Sequence, residues 1–181
     1  MVEIDGEVIE ACKKHLPKIA SAFDHPKLNL IVGDGIEYVE NAKHNNYDLI
    51  VVDGSDPVGP AEGLFSVAFF NNCYKALNEG GILVAQGESP KFNEHAFADI
   101  HQTLIGLFGT DNAKVSLFYV PTYPTGMWSF QYGVKNGAVN PTEIDDDKVN
   151  SFVETHGLRY YNPEIHRASF ALPGFVKDLL K

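Results

Sequence analysis

Tyr47-Asp48-Leu49-Ile50-Val51-Val52-Asp53 runs straight into Gly54-Ser55-Asp56-Pro57-Val58-Gly59-Pro60, and the fold is read from this stretch. Its first half is a short, β-branched apolar run, the pattern of a strand buried on both faces of a parallel sheet. Its second half holds glycines, prolines, a serine and acids, which end the strand and keep the backbone open. Asp53 and Asp56 therefore fall where a parallel strand delivers its chain to the carboxyl edge of a sheet, the edge at which open α/β sheets bind ligands. An anionic loop at that edge suits a cationic ligand.

Outward from this stretch, strands alternate with helices. Met1-Val2-Glu3-Ile4-Asp5 reads as the tail of a strand, and apolar residues at helical spacing predict a helix from Gly6 to about Ala22, ended or kinked by Pro17. Leu28–Val32 reads as a strand closed by Gly33-Asp34-Gly35, and Ile36–Lys43 as a short helix. Beyond the acidic loop, Phe65–Leu77 reads as an aromatic-rich helix stopped by Asn78-Glu79-Gly80-Gly81. Ile82–Glu88 is a further strand, His95–Phe108 a helix and Val115–Val120 a strand. Pro121–Gly126 then turns into the alternating run Met127–Lys135, a hairpin partner. The expected fold is α/β, with a mostly parallel sheet, right-handed crossovers and a C-terminal antiparallel hairpin. A buried strand at the first residue has no crossover leading into it, which suggests a truncated chain.

The 181 residues suffice for a single domain, residues 1–181, with a sizeable core, and no apolar run approaches a membrane span. A formal net charge of −10 argues against nucleic acid and anionic membrane as partners. Cys12 and Cys73 both fall among apolar residues of predicted helices, as reduced core thiols of a cytoplasmic protein would. The seven histidines have no metal-ligand spacing, which favours surface or capping roles. Trp128 reads as core or pocket wall, and Asp145–Asp147 as a solvated helix start.

Successive strand ends carry acids: Glu3 or Asp5, then Asp34, then Asp53. For Asp5 and Asp34, helix N-capping is the simpler reading. Glu3 lies inside its strand, where a cap cannot explain it. A carboxylate at such a strand end can take the ribose hydroxyls of a nucleoside, and an acid followed by glycine can accept from an adenine amino group. Asp53 and Asp56 can form a turn by bonding neighbouring amides. Alternatively, Asp53 accepts a proton from a substrate amine while Asp56 fixes its charge. A divalent metal site would lack ligands.

With Val2-Glu3-Ile4-Asp5, Gly33-Asp34-Gly35, the Asp53–Pro60 loop, Gln86-Gly87-Glu88, Pro121–Gly126 and Tyr160–Pro173 in this order, the chain resembles the spermidine synthases, polyamine aminopropyltransferases whose catalytic domain has a Rossmann-like, class I methyltransferase-type sheet. The resemblance implies aminopropyl transfer from decarboxylated S-adenosylmethionine, a co-substrate, to putrescine, with no metal or other cofactor. It places Glu3 on the ribose, Asp34 and Gly35 on the adenine, and Pro60 and Ala61 near the base. Asp53 would be the proton acceptor, with Asp56 and Tyr123 lining the diamine pocket and Gln86 beside it. It further implies that the family's N-terminal β-rich region and first Rossmann strand are missing here, so this chain would turn over weakly or not at all, and that the full-length form is a dimer or tetramer. An amine N-methyltransferase using intact S-adenosylmethionine and a non-catalytic nucleoside-binding module are the alternatives.

Overall fold

The structure, a computed structural model, describes residues 1–57, 59–137 and 139–181, with Pro60 described by its backbone alone. The chain divides into two compact units, Met1–Ala42 and Lys43–Lys181.

In the first unit, β1 (Val2–Glu3) pairs parallel with β2 (Ile31–Val32), Glu3 lying opposite Val32. Between them run α1 (Gly6–His15) and a 3-10 turn at Ala20–Ala22; α2 (Gly35–Glu40) follows β2. The predicted helix to Ala22 stops short, at His15. Leu16 leaves helical geometry one residue ahead of Pro17, and a residue preceding proline is disfavoured in the helical region. The predicted strand Leu28–Val32 shrinks to its last two residues. Asp5 and Asp34 cap α1 and α2, accepting from Glu7 N and Ile36 N, each at 2.8 Å.

The second unit is built on a four-stranded sheet in the order β3 (Tyr47–Val52), β4 (Leu77–Gln86), β6 (Met127–Val134), β5 (Ala113–Tyr119). β3 and β4 are parallel; β6 runs antiparallel to both its neighbours, giving the expected hairpin. α3 (Val67–Ala76) is the crossover from β3 to β4, and α4 (Glu94–Phe108) links β4 to β5. Phe65 falls outside α3, in a 3-10 segment at Gly59–Phe65, because Ser66 supplies the N-cap by accepting from Phe69 N at 3.1 Å. The Asn78–Gly81 stop is a shift of register: Tyr47 pairs with Leu77, but Leu49 pairs with Ile82.

The core of this unit lies between these helices and the sheet, where Phe70, Cys73, Leu77, Leu83, Phe97 and Leu104 have no exposed surface. Burial of each large apolar side chain contributes about 2 kcal/mol. The C-terminal α7 (Gly174–Leu179) adds Val176 to a cluster with Phe97 and Val115. Two further helices, α5 (Asp146–His156) and α6 (Pro163–Ser169), precede it, capped by Asp145 and Asn162.

Three expectations change. β3 is not buried on both faces: Leu49 and Val51, which share one face, are more than half exposed, while Val52 on the other is buried. His101 is buried on the inward face of α4 instead of being solvated, and Cys12 is half-buried while Cys73 is fully enclosed.

Candidate functional site

In the first unit, the Glu3 carboxylate accepts from Asp5 N at 3.0 Å, so this strand residue also serves the turn into α1. Asp34 is committed through one oxygen to capping α2, and Gly35 is the first residue of that helix. Both carboxylates stay accessible, Glu3 partly and Asp34 openly, and each keeps its second oxygen without a hydrogen bond among the described residues. Capping and ligand binding are thus compatible here.

In the second unit, topology gathers residues far apart in sequence. β3 and β4 are parallel and Val52 pairs with Ala85, so one residue further on Asp53 and Gln86 leave the sheet at the same carboxyl edge. β6 runs antiparallel to β4 with Gln86 opposite Phe130, which brings the β5–β6 loop, and Tyr123 on it, to that edge too. That loop is closed by Val120 N to Gly126 O at 2.8 Å and Tyr123 N to Val120 O at 3.0 Å. Thr125 and Gly126 take left-handed backbone, φ 64° and 67°, as a tight turn requires.

Asp53 and Asp56 are exposed, and neither carboxylate makes a hydrogen bond or ion pair among the described residues. No turn bond from either carboxylate to an adjacent amide is present among the described residues, from which Val58 is absent. Asp5, Asp34, Ser66, Asp145 and Asn162 all cap helices. Against that background, Asp53 and Asp56 stand out as two exposed carboxylates in one loop that cap none of the described helices. Ala61 lies part-buried in the 3-10 segment that follows; the side chain of Pro60 lies outside the described residues.

Gln86 is buried and engaged. Its Oε1 accepts from Trp128 Nε1 at 2.9 Å and from Glu88 N at 3.0 Å, and its Nε2 donates to Glu88 Oε1 at 2.8 Å. Its Oε1 already serves two donors, which leaves it little capacity to accept from a further one. Tyr123, by contrast, is 47% exposed and packs edge-on against Trp128, ring centroids 4.7 Å apart. Sequence reasoning assigned no role to Glu88, Asn93 or Ser129. Asn93 Nδ2 donates to the Glu88 carboxylate, and Ser129 Oγ to the Glu88 carbonyl at 2.8 Å. The sequence offers only a run of polar residues, Gln86-Gly87-Glu88-Ser89, after an apolar strand; that the run stays buried is seen in the structure alone. Among the described residues no three or more His, Cys, Asp and Glu side chains form a metal-sized group.

Parallel strands joined through helices, a terminal antiparallel hairpin and acids at the strand ends define an α/β protein of the Rossmann-like, class I methyltransferase type. The description "Spermine/spermidine synthase domain" matches residues 1–143, and the chain belongs to this family. A polyamine aminopropyltransferase of Desulforudis audaxviator is 46% identical over 178 residues, 98% of this chain and 62% of the relative. One from Methanocaldococcus jannaschii is 42% identical over 184 residues, 99% of this chain and 60% of that protein. A solved spermidine synthase in complex with the transition-state analogue AdoDATO superposes with a TM-score of 0.91 at 37% identity, over 99% of this chain and 59% of that one. Thermotoga maritima spermidine synthase gives a TM-score of 0.88, also at 37% identity, over 99% and 58%. The chain thus spans about three-fifths of the length of these relatives.

Proposed function

We propose that this chain is the catalytic portion, acting as one domain, of a spermidine synthase, which moves an aminopropyl group from decarboxylated S-adenosylmethionine to putrescine. The observation that carries the reading is the pair Asp53 and Asp56, exposed and with no hydrogen bond or ion pair among the described residues, at the carboxyl edge of the sheet beside the Tyr123 loop. Putrescine is a dication, and such carboxylates, with an exposed tyrosine, can hold its ends and stem. Family membership and the likeness to a structure solved with AdoDATO support the donor. In this reading Glu3 takes the ribose hydroxyls, Asp34 and Gly35 the adenine, and Pro60 and Ala61 pack near the base. Asp56, Tyr123 and Gln86 line the diamine pocket.

The chemistry asks little of the protein beyond alignment. The amine lone pair attacks the carbon next to the sulfonium; the C–S bond breaks, and its electrons leave a neutral thioether, 5′-methylthioadenosine. The leaving group needs no acid. Asp53 accepts the ammonium proton and orients the freed nitrogen, and most of the rate gain is positional. No metal or cofactor enters these steps. The reading places the protein in the cytoplasm, which suits two free thiols, and the full-length form in a homo-oligomer.

The test pairs binding of putrescine and methylthioadenosine to the chain with turnover by the longest natural polypeptide that contains it. Spermidine and methylthioadenosine must appear in equal amounts from decarboxylated S-adenosylmethionine. Methylated putrescine from intact S-adenosylmethionine, with no spermidine, would overturn the proposal.

A further inference from the structure

Three departures from local rules meet around one side chain. Glu88 has no exposed surface, yet no cation pairs with its carboxylate among the described residues. Its φ is 65°, the left-handed region that glycine or asparagine adopts more readily. Asn93, at the N-cap of α4, makes no side-chain capping bond and gives its Nδ2 to Glu88 instead. Such breaches of local preference concentrate where a site is being held in place.

We propose that Glu88 is a positioning residue that fixes the Gln86 amide, through it the Trp128 indole, and so the surface against which Tyr123 rests at the carboxyl edge of the sheet. The logic is one of donors and acceptors. Trp128 Nε1 and Glu88 N are donors only, so the Gln86 atom between them must be the oxygen. That turns Gln86 Nε2 the other way, into the buried interior, where among the described residues the Glu88 carboxylate receives it. Its second oxygen takes Asn93, and Ser129 Oγ ties the Glu88 carbonyl to β6, one residue beyond Trp128. Gly87 has no room for a side chain: a Cβ there would sit 2.4 Å from Gln131 Cγ and 2.6 Å from Ser129 Oγ, so the backbone cannot shift to relieve a lost bond. With the amide free to turn, its NH₂ would meet the indole N–H, and Trp128 would move off Tyr123. The ligand-facing half of this inference rests on the proposed diamine site; the internal half does not.

Trp128 is the single tryptophan of the chain, so its fluorescence reports this network alone. Glu88→Gln keeps the shape but replaces one of two acceptor oxygens by a donor. Glu88→Gly removes the carboxylate and relieves the left-handed backbone. Both should shift Trp128 emission to the red and weaken the near-ultraviolet circular dichroism of the Trp128–Tyr123 pair. Both should also raise the putrescine Kd about tenfold, the scale of one charge-assisted hydrogen bond. If Glu88 matters only for backbone shape, Glu88→Gly will keep the wild-type spectrum, and the proposal falls. Should Glu88→Gln fail to fold, Asn93→Ala, which withdraws one donor from the far side, must move the emission in the same direction; an unchanged spectrum there also overturns it. A wild-type chain that binds no putrescine refutes the diamine site, while the spectra still decide the role of Glu88.

Discussion

Lys135 Nζ donates to the carbonyl oxygen of Leu77 at 2.8 Å, tying the end of β6 to the first residue of β4 across the register shift. The same ammonium donates to Asn45 Oδ1 at 2.9 Å, lies 3.7 Å from Glu79 and sits 4.8 Å over the Tyr74 ring. A nearly buried lysine so fully engaged is a clasp for the Asn78–Gly81 excursion. Lys135→Met keeps the stem and removes the donors, leaving the Leu77 carbonyl without its side-chain partner. The expected loss is about 2–4 kcal/mol in urea unfolding. A loss below about 0.5 kcal/mol would show that the clasp carries no weight.

A second prediction concerns the seat of α4 on the sheet. A Cβ at Gly133 would lie 2.5–2.8 Å from three ring carbons of Phe108, so the ring packs directly on bare backbone. Gly133→Ala should destabilise by about 1–3 kcal/mol through overpacking. Pairing it with Phe108→Leu should recover part of the loss, because the smaller side chain vacates the contested space. Additive losses in the double variant would exclude this contact as the cause.

How much of this could be read beforehand differs from element to element. The β3–α3–β4 crossover and the β5–β6 hairpin follow from apolar periodicity and glycine or proline punctuation, both local signals. Which face of β3 is covered is not local: Val51 and Val52 are the same residue type, yet Val51 is 61% exposed and Val52 8%. Successive strand residues point to opposite faces, and which of the two faces is covered is decided by elements distant in sequence. The acids at the strand ends were legible for the same reason as the strands. Sequence alone could not separate Asp34, which caps a helix, from Asp53, which caps none of the described helices, since both follow an apolar strand. Glu88 was hidden most thoroughly, because a charged residue after a strand reads as loop until burial is known.

Burial also sets the thiol chemistry. Enclosure pushes the Cys73 thiol up from 9.0 to about 12, only partly opposed by a backbone hydrogen bond. A thiol held protonated is a poor nucleophile. In the native protein at pH 8, Ellman's reagent should therefore titrate one thiol, the half-buried Cys12, and two after denaturation. The sign of the linkage follows: the unfolded chain gives up the Cys73 proton near pH 9 while the folded one keeps it. Stability is undiminished below pH 9 and falls between pH 9 and 12, and Cys73→Ala should flatten that fall.

At the acid end His101 acts in the opposite sense. Burial lowers its pKa below the ordinary 6.5, with the Gln131 side chain raising it and Lys114 lowering it further. Below pH 6.5 the unfolded chain takes up a proton that the folded chain refuses. The contribution of His101 is therefore present above that pH and lost as pH falls. Urea midpoints at pH 7 and pH 5 should differ more in the wild type than in His101→Phe, where the titrating group is gone. Equal differences would place the acid sensitivity elsewhere.

The two loop carboxylates should separate by kinetics. In the longest natural polypeptide that carries this chain, Asp53→Asn keeps the shape of the side chain but cannot take a proton. It should lower kcat by about 10²–10⁴-fold, the range for a positioned general base, with a smaller change in the KM for putrescine. Asp56→Asn removes a charge that holds the diammonium without meeting the reacting nitrogen, so it should raise that KM about tenfold and leave kcat closer to wild type. Because both sites lie open to solvent, putrescine binding should weaken as ionic strength rises from 0.01 to 0.15 M, over which the Debye length shrinks from about 30 to about 8 Å. The salt slope should be shallower in Asp56→Asn, which presents one charge fewer. An Asp53→Asn variant with unaltered kcat would remove Asp53 from the reaction, and binding indifferent to salt would remove both carboxylates from the diamine site.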